Sequence, residues 1–140
     1  MKLTGVLLIL GLSSLLYVAE LKAQSVITHR SNHISKISES TLRAIFGMRM
    51  LEWPDGTPIT VFVLNQNNRQ HTEFCKNVLH VFPYQLQRNW NRLIFSGSGQ
   101  APIFLSSTQE MLEHVRNTPG AIGYLPEDKV NDKVRILSVQ

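Results

Sequence analysis

The run Ile59-Thr60-Val61-Phe62-Val63-Leu64 constrains the fold more than any other segment. It is rich in β-branched residues, and its only polar side chain is Thr60. A strand with one wet face alternates apolar and polar residues. A run without alternation belongs to a strand covered on both faces, as in parallel sheets flanked by helices. Its borders are sharp. Upstream, Pro54-Asp55-Gly56-Thr57-Pro58 is a turn by composition, because Pro fixes φ, Asp caps its own backbone and Gly allows positive φ. Downstream, Asn65-Gln66-Asn67-Asn68 is a polar loop.

The rest of the chain alternates strand and helix around this run. Ser25 to His29 reads as a short strand and Ser31-Asn32-His33 as a turn. Ser38 is placed to cap a helix through Leu42, Ile45 and Phe46, which Gly47 would end in a left-handed conformation. A second helix is expected from about His71 to His80, with Phe74, Val78 and Leu79 inward. Pro83 opens a third, whose face is Leu86, Trp90, Leu93 and Ile94, and Ser96-Gly97-Ser98-Gly99 stops it. Pro102 to Leu105 is a brief strand. Ser106 or Ser107 caps a fourth helix, with Glu110 as capping-box partner and Met111, Leu112 and Val115 inward. Ala121 to Leu125 is a small-residue strand in which Gly123 permits close approach. Lys133 to Val139 alternates more clearly and suits a strand at an edge. The expected fold is α/β: a mostly parallel sheet of about five strands flanked by helices.

The N-terminus reads differently. Lys2 precedes an apolar run from Val6 to Val18, and Leu21-Lys22-Ala23 offers a small residue for cleavage before Gln24 or Ser25. That is the pattern of a secretory signal peptide over residues 1–23, leaving one domain over 24–140. The run is shorter than the roughly 20 residues that cross a bilayer comfortably; an uncleaved N-terminal anchor is the other reading. Processing leaves no expected membrane span and places the domain in the periplasm. Residues 24–140 carry twelve basic and nine acidic side chains, a net of +3 spread along the chain. No basic stripe with interleaved aromatics marks a nucleic-acid surface. The single cysteine, Cys75, forms no bridge within the chain, and beside Phe74 it reads as a buried thiol.

Catalytic signatures are missing. No nucleophile elbow, phosphate-cradling glycine loop or metal-spaced Cys/His set occurs. His71 and His80 fall at opposite ends of one expected helix, and a turn separates His29 from His33, so no metal and no cofactor is expected. Trp53 and Trp90 read as packing residues. Ser96-Gly97-Ser98-Gly99 leaves a helix instead of entering one, so it is no anion cradle. The segment from Asn65 to Thr72 is better placed, joining the carboxyl end of a buried strand to a helix start, where open α/β sheets bind ligands and helix N–H groups favour anions. Asn65, Asn67, Asn68, Arg69, Gln70 and His71 are the candidate ligand-binding residues. An ordinary polar loop with an Asn cap explains the same segment equally well.

Two clusters also carry a family resemblance. Ala44-Ile45-Phe46-Gly47, Trp53, Asp55-Gly56 and the strand Ile59 to Leu64 are followed by Trp90, Gly97 and then Gly120-Ala121-Ile122-Gly123-Tyr124. In this order, from Ser25 to Leu125, they resemble the second lobe of the periplasmic phosphate-binding proteins that serve ABC-type importers. The resemblance implies one lobe of a periplasmic-binding-protein-like fold, a small oxyanion such as phosphate as ligand, a role in transport, and no catalysis. Two differences accompany it. Where that family holds its anion with an Arg and a Ser-Gly-Thr-Thr run, this chain has Asn68-Arg69-Gln70-His71. And the family closes two lobes about a hinge, whereas this chain has residues for one. The alternative expectation is an envelope interaction module, partnered by another envelope protein or by a second copy, that keeps the fold and has lost the anion site.

Overall fold

The computed structural model describes residues 22–97 and 100–140. The expected signal peptide lies almost wholly outside them, as do Ser98 and Gly99. Six strands form one sheet in the order β2-β6-β1-β5-β3-β4. They are β1 (Gln24–Thr28), β2 (Lys36–Ile37), β3 (Thr60–Leu64), β4 (Ile103–Leu105), β5 (Ala121–Pro126) and β6 (Arg135–Val139). β3 pairs in parallel with both β4 and β5, and β2 with β6, while β1 runs antiparallel to β5 and β6. Five strands therefore point one way and β1 the other. The sheet is mostly parallel as expected, with one strand more than the sequence suggests. The addition is β2, two residues long. It covers the outer side of β6, which therefore lies one position in from the edge and not at the edge that its alternation suggested.

The apolar run behaves as its composition demands: Val61 to Leu64 are all buried. Helix α4 (Thr108–Asn117) covers one face of the sheet, seating Met111 and Val115 over Gly123, where a Cβ would stand 2.4 Å from Met111 Sδ. The other face carries α1 (Glu39–Phe46), α2 (Arg69–Phe74) and α3 (Pro83–Ser96), with Phe46 and Phe74 against the Tyr124 ring. Ser38 caps α1 through the Thr41 N–H, as expected. Ser107 caps α4 through the Glu110 N–H, and the Glu110 carboxylate returns the bond one residue earlier, to the Ser106 N–H.

Three local expectations change. Gly47 ends α1 with φ −79°, not left-handed; the positive φ falls on Met48, at 60°. Gly47 is needed for space, because a Cβ there would stand 2.8 Å from the Arg43 carbonyl oxygen. The second helix starts at Arg69 and passes into a π-helical turn, Cys75–Leu79, closed by His80 at φ 55°. That wider turn brings Leu79 beneath the sheet with Phe74 and Cys75, and leaves Val78 only partly buried. Finally, Ile94 is 48% exposed, so the inward face of α3 rests on Leu86 and Trp90.

Trp53 and Trp90 are buried, and each ties two segments far apart in sequence. The Trp53 indole N–H donates to the Gly120 carbonyl at 3.0 Å, and that of Trp90 to the Phe46 carbonyl at 2.8 Å. The two family-like clusters thus meet in space. The Trp53–Pro58 turn sits on Gly120, whose φ of 79° and 2.2 Å approach of the Pro58 oxygen to a would-be Cβ leave room for glycine alone. This rivet lies at the amino ends of β3 and β5, away from the end where ligands bind in such sheets.

Candidate functional site

Because β3, β4 and β5 are parallel, their carboxyl ends share one edge of the sheet, and antiparallel β1 brings its amino end there. Four pieces of chain meet at this edge. Asn65 to Asn68 follows β3, Ser106 and Ser107 follow β4, a 3-10 turn Glu127–Lys129 follows β5, and Lys22 and Ala23 precede β1. Backbone bonds fix two of the junctions: the Asn65 N–H donates to the Leu105 carbonyl and the Glu127 N–H to the Ala23 carbonyl.

A cleft of 190 Å³ opens between α2, the segment before β1 and the turn after β5, lined by Lys22, Arg69, Gln70, Glu73, Pro126, Asp128 and Lys129. Three cations face two carboxylates. Lys22 Nζ lies 2.6 Å from Asp128, and this bond holds the Asp128 carboxyl below its ordinary range. Arg69 reaches Glu73 only loosely, at 4.0 Å, and its side chain remains largely in solvent. The arrangement can attract an anion and offer it one guanidinium and one or two ammonium groups.

The six residues singled out from the sequence divide among different roles. Arg69 and Gln70 line the cleft. Asn65 and Asn67 are exposed in the loop after β3 and do not line the cleft. Asn68 is the N-cap of α2: its side-chain oxygen accepts from the Gln70 N–H at 2.9 Å, and its carbonyl accepts from the His71 and Thr72 N–H groups. Gln70 in turn accepts from the Gln24 side-chain amide. His71 turns away from the edge and is wholly buried.

His71 belongs to a polar chain inside the core. β3 and β5 pair only as far as Val61 and Ile122, and beyond that the Leu64 N–H donates to the Tyr124 hydroxyl at 2.9 Å. Having accepted there, the hydroxyl donates to His71 Nδ1 at 2.6 Å. This assigns the proton to Nε2, which faces Cys75 Sγ at 3.5 Å. Burial pushes the His71 pKa down to about 4 and the Cys75 thiol up to about 12. The imidazole is therefore neutral and the thiol protonated at neutral pH, and the thiol lacks the exposed, electropositive setting of a reactive one. Burial likewise raises Tyr124. The sequence pattern missed this chain because histidine and tyrosine there are 53 residues apart. The only signal was a tyrosine inside a strand otherwise made of small and apolar residues.

No family model matches the sequence, and no curated protein does. The fold has clear counterparts among solved structures. One is an ABC-type phosphate transport receptor from Vibrio cholerae, with TM-score 0.67 and 12% identity over 84% of this chain and 46% of that one. A second is a putative phosphate ABC transporter substrate-binding protein with bound phosphate from Clostridium perfringens, with TM-score 0.68 and 16% identity over 84% and 45%. A third is PstS from Borrelia burgdorferi, with TM-score 0.63 and 18% identity over 85% and 47%. The likeness is one of fold. This chain has the fold of one periplasmic-binding-protein lobe and spans under half the length of each counterpart.

Proposed function

We propose that the protein is a solute-binding-protein-like lobe that binds a small oxyanion, phosphate among them, weakly at the carboxyl-edge cleft. It acts without catalysis, in the periplasm and in the service of ABC-type import. The observation that supports this most is the position of Arg69 and Lys129, two solvent-facing cations at the carboxyl ends of parallel strands beside a helix start. In this reading Asn65, Asn67 and Gln70 add amide donors, and His71 acts from beneath by holding α2 to the core. Weakness follows from two features. The cleft is open on one side, so it excludes little water. And Asn68 already supplies the Gln70 N–H with an acceptor, where an anion oxygen would otherwise sit.

A second reading, an envelope interaction module without an anion site, gains support from Lys22. Cleavage before Gln24 would remove it, release Asp128 and leave Arg69 and Lys129 facing Glu73 and Asp128, with no surplus charge. Isothermal titration of the processed protein with phosphate and sulfate separates the two. Saturable heat that disappears in Arg69→Gln supports binding. Silence with both anions, together with dimerisation or capture of an envelope protein, supports the module.

A further inference from the structure

A second cleft, sharing no residue with the first, is lined by three arginines from three different parts of the chain. Arg43 comes from the last turn of α1, Arg49 from the turn after it, and Arg92 from α3. The cleft measures 390 Å³, and no Asp or Glu lines it. Its floor is apolar, with Leu79, Val81 and Leu86.

The convergence is built. Met48 takes a positive φ, and the Arg49 N–H is bonded back to the Ala44 carbonyl at 2.8 Å. Arg49 Nε then lies 3.6 Å, and Asn89 Nδ2 3.8 Å, from where a Gly47 side chain would begin. Asn89 donates to the Gly47 carbonyl and accepts from Arg92 at 2.9 Å, linking α3 to the end of α1.

A structural role accounts for part of the charge. The carboxyl ends of α1 and of the π-helical turn both open here, and each presents about half a negative charge. Arg43 answers them, donating to the Leu79 carbonyl at 3.3 Å and approaching Glu39 at 3.5 Å. Arg49 and Arg92 are left over: among the described residues neither has a carboxylate within ion-pair distance. Guanidinium forks of this kind match the oxygens of a tetrahedral oxyanion. The neighbouring hollow shares Val81 and Gln85 with the cleft and adds the exposed Phe82 ring beside Lys76 and His80, so Val81 and Phe82 offer an apolar strip next to the charged end.

We infer that this cleft binds a phosphate monoester, with the phosphate between Arg49 and Arg92 and the apolar ester group along Val81 and Phe82. The ester is either a free small molecule or the headgroup of a membrane lipid. The test is titration of the full chain with phenyl phosphate, followed by calorimetry. Saturable binding is expected. It should be at least several-fold tighter than inorganic phosphate, weakened tenfold or more in the Arg49→Gln/Arg92→Gln double variant, and unchanged in Arg135→Gln, an exposed arginine elsewhere. Both substituted arginines are exposed, and matching thermal melts would show that the double variant folds. Absence of binding, equal affinity for inorganic phosphate, or binding lost in Arg69→Gln but kept in the double variant would overturn the inference. Co-sedimentation with phosphatidic-acid vesicles, dependent on Arg49 and Arg92, assigns the ester to a lipid; its absence beside phenyl phosphate binding assigns it to a free molecule.

Discussion

At the scale of single residues, the core chain from Leu64 through Tyr124 to His71 is the most demanding feature. Tyr124→Phe removes a hydroxyl that satisfies two buried groups at once, the Leu64 N–H and His71 Nδ1. Leaving each such group unpaired costs about 1–3 kcal/mol, and urea unfolding of the variant should show a loss of at least that size. His71 makes stability depend on pH. Its pKa falls from 6.5 to about 4 on folding, so as acid is added the unfolded chain takes the proton first. Its contribution is whole above about pH 6.5 and is lost as the pH falls toward 4. The expected loss is on the order of 3 kcal/mol by the usual conversion, read as a falling urea midpoint between pH 7 and 4.5. In His71→Gln this dependence should flatten, at the cost of lower stability at pH 7. That His71 points inward was not legible in the sequence. A polar residue at a helix start reads as surface, and only Tyr124, from a distant strand, makes its burial affordable.

Among elements, what the sequence showed depended on how local the cause was. The strand Thr60–Leu64, the cap Ser38, a serine cap at Ser106 or Ser107, and the Pro83 helix start are set by neighbours within a few residues and could be read directly, whereas the Asn cap of α2 could be expected in its loop but not placed at Asn68. β2 has two residues and exists only because β6 is there to pair with it. The π-helical turn exists because the core needs Leu79. The two family-like glycines separate by what they touch. Gly123→Ala would press a Cβ against the flexible Met111 side chain, an overpacking cost of about 1–3 kcal/mol. Gly120→Ala meets the Pro58 backbone at a positive φ, where neither side can yield. Guanidinium unfolding should therefore rank Gly120→Ala as the more damaging, and equal or reversed losses would refute the rivet between Trp53–Pro58 and Gly120.

For the whole molecule, the lobe separates the end held by its motifs from the end that carries the charged cleft. The recognisable motifs hold the amino ends of β3 and β5 together, while the charged cleft opens at their carboxyl ends. The segment Asn65 to Thr72 could be located from sequence because strand and helix signals bracket it. Its partners Lys22, Asp128 and Lys129 could not, since only the sheet order brings them alongside. A chain beginning at Gln24 should bind phosphate more weakly than one that keeps Lys22, a comparison within reach of calorimetry. The most direct test of the carboxyl-edge cleft is an amide NMR titration with phosphate. The account predicts saturable shifts at Arg69, Gln70, Asp128 and Lys129, abolished in Arg69→Gln. Shifts confined to other parts of the chain, or none at millimolar phosphate, would contradict it.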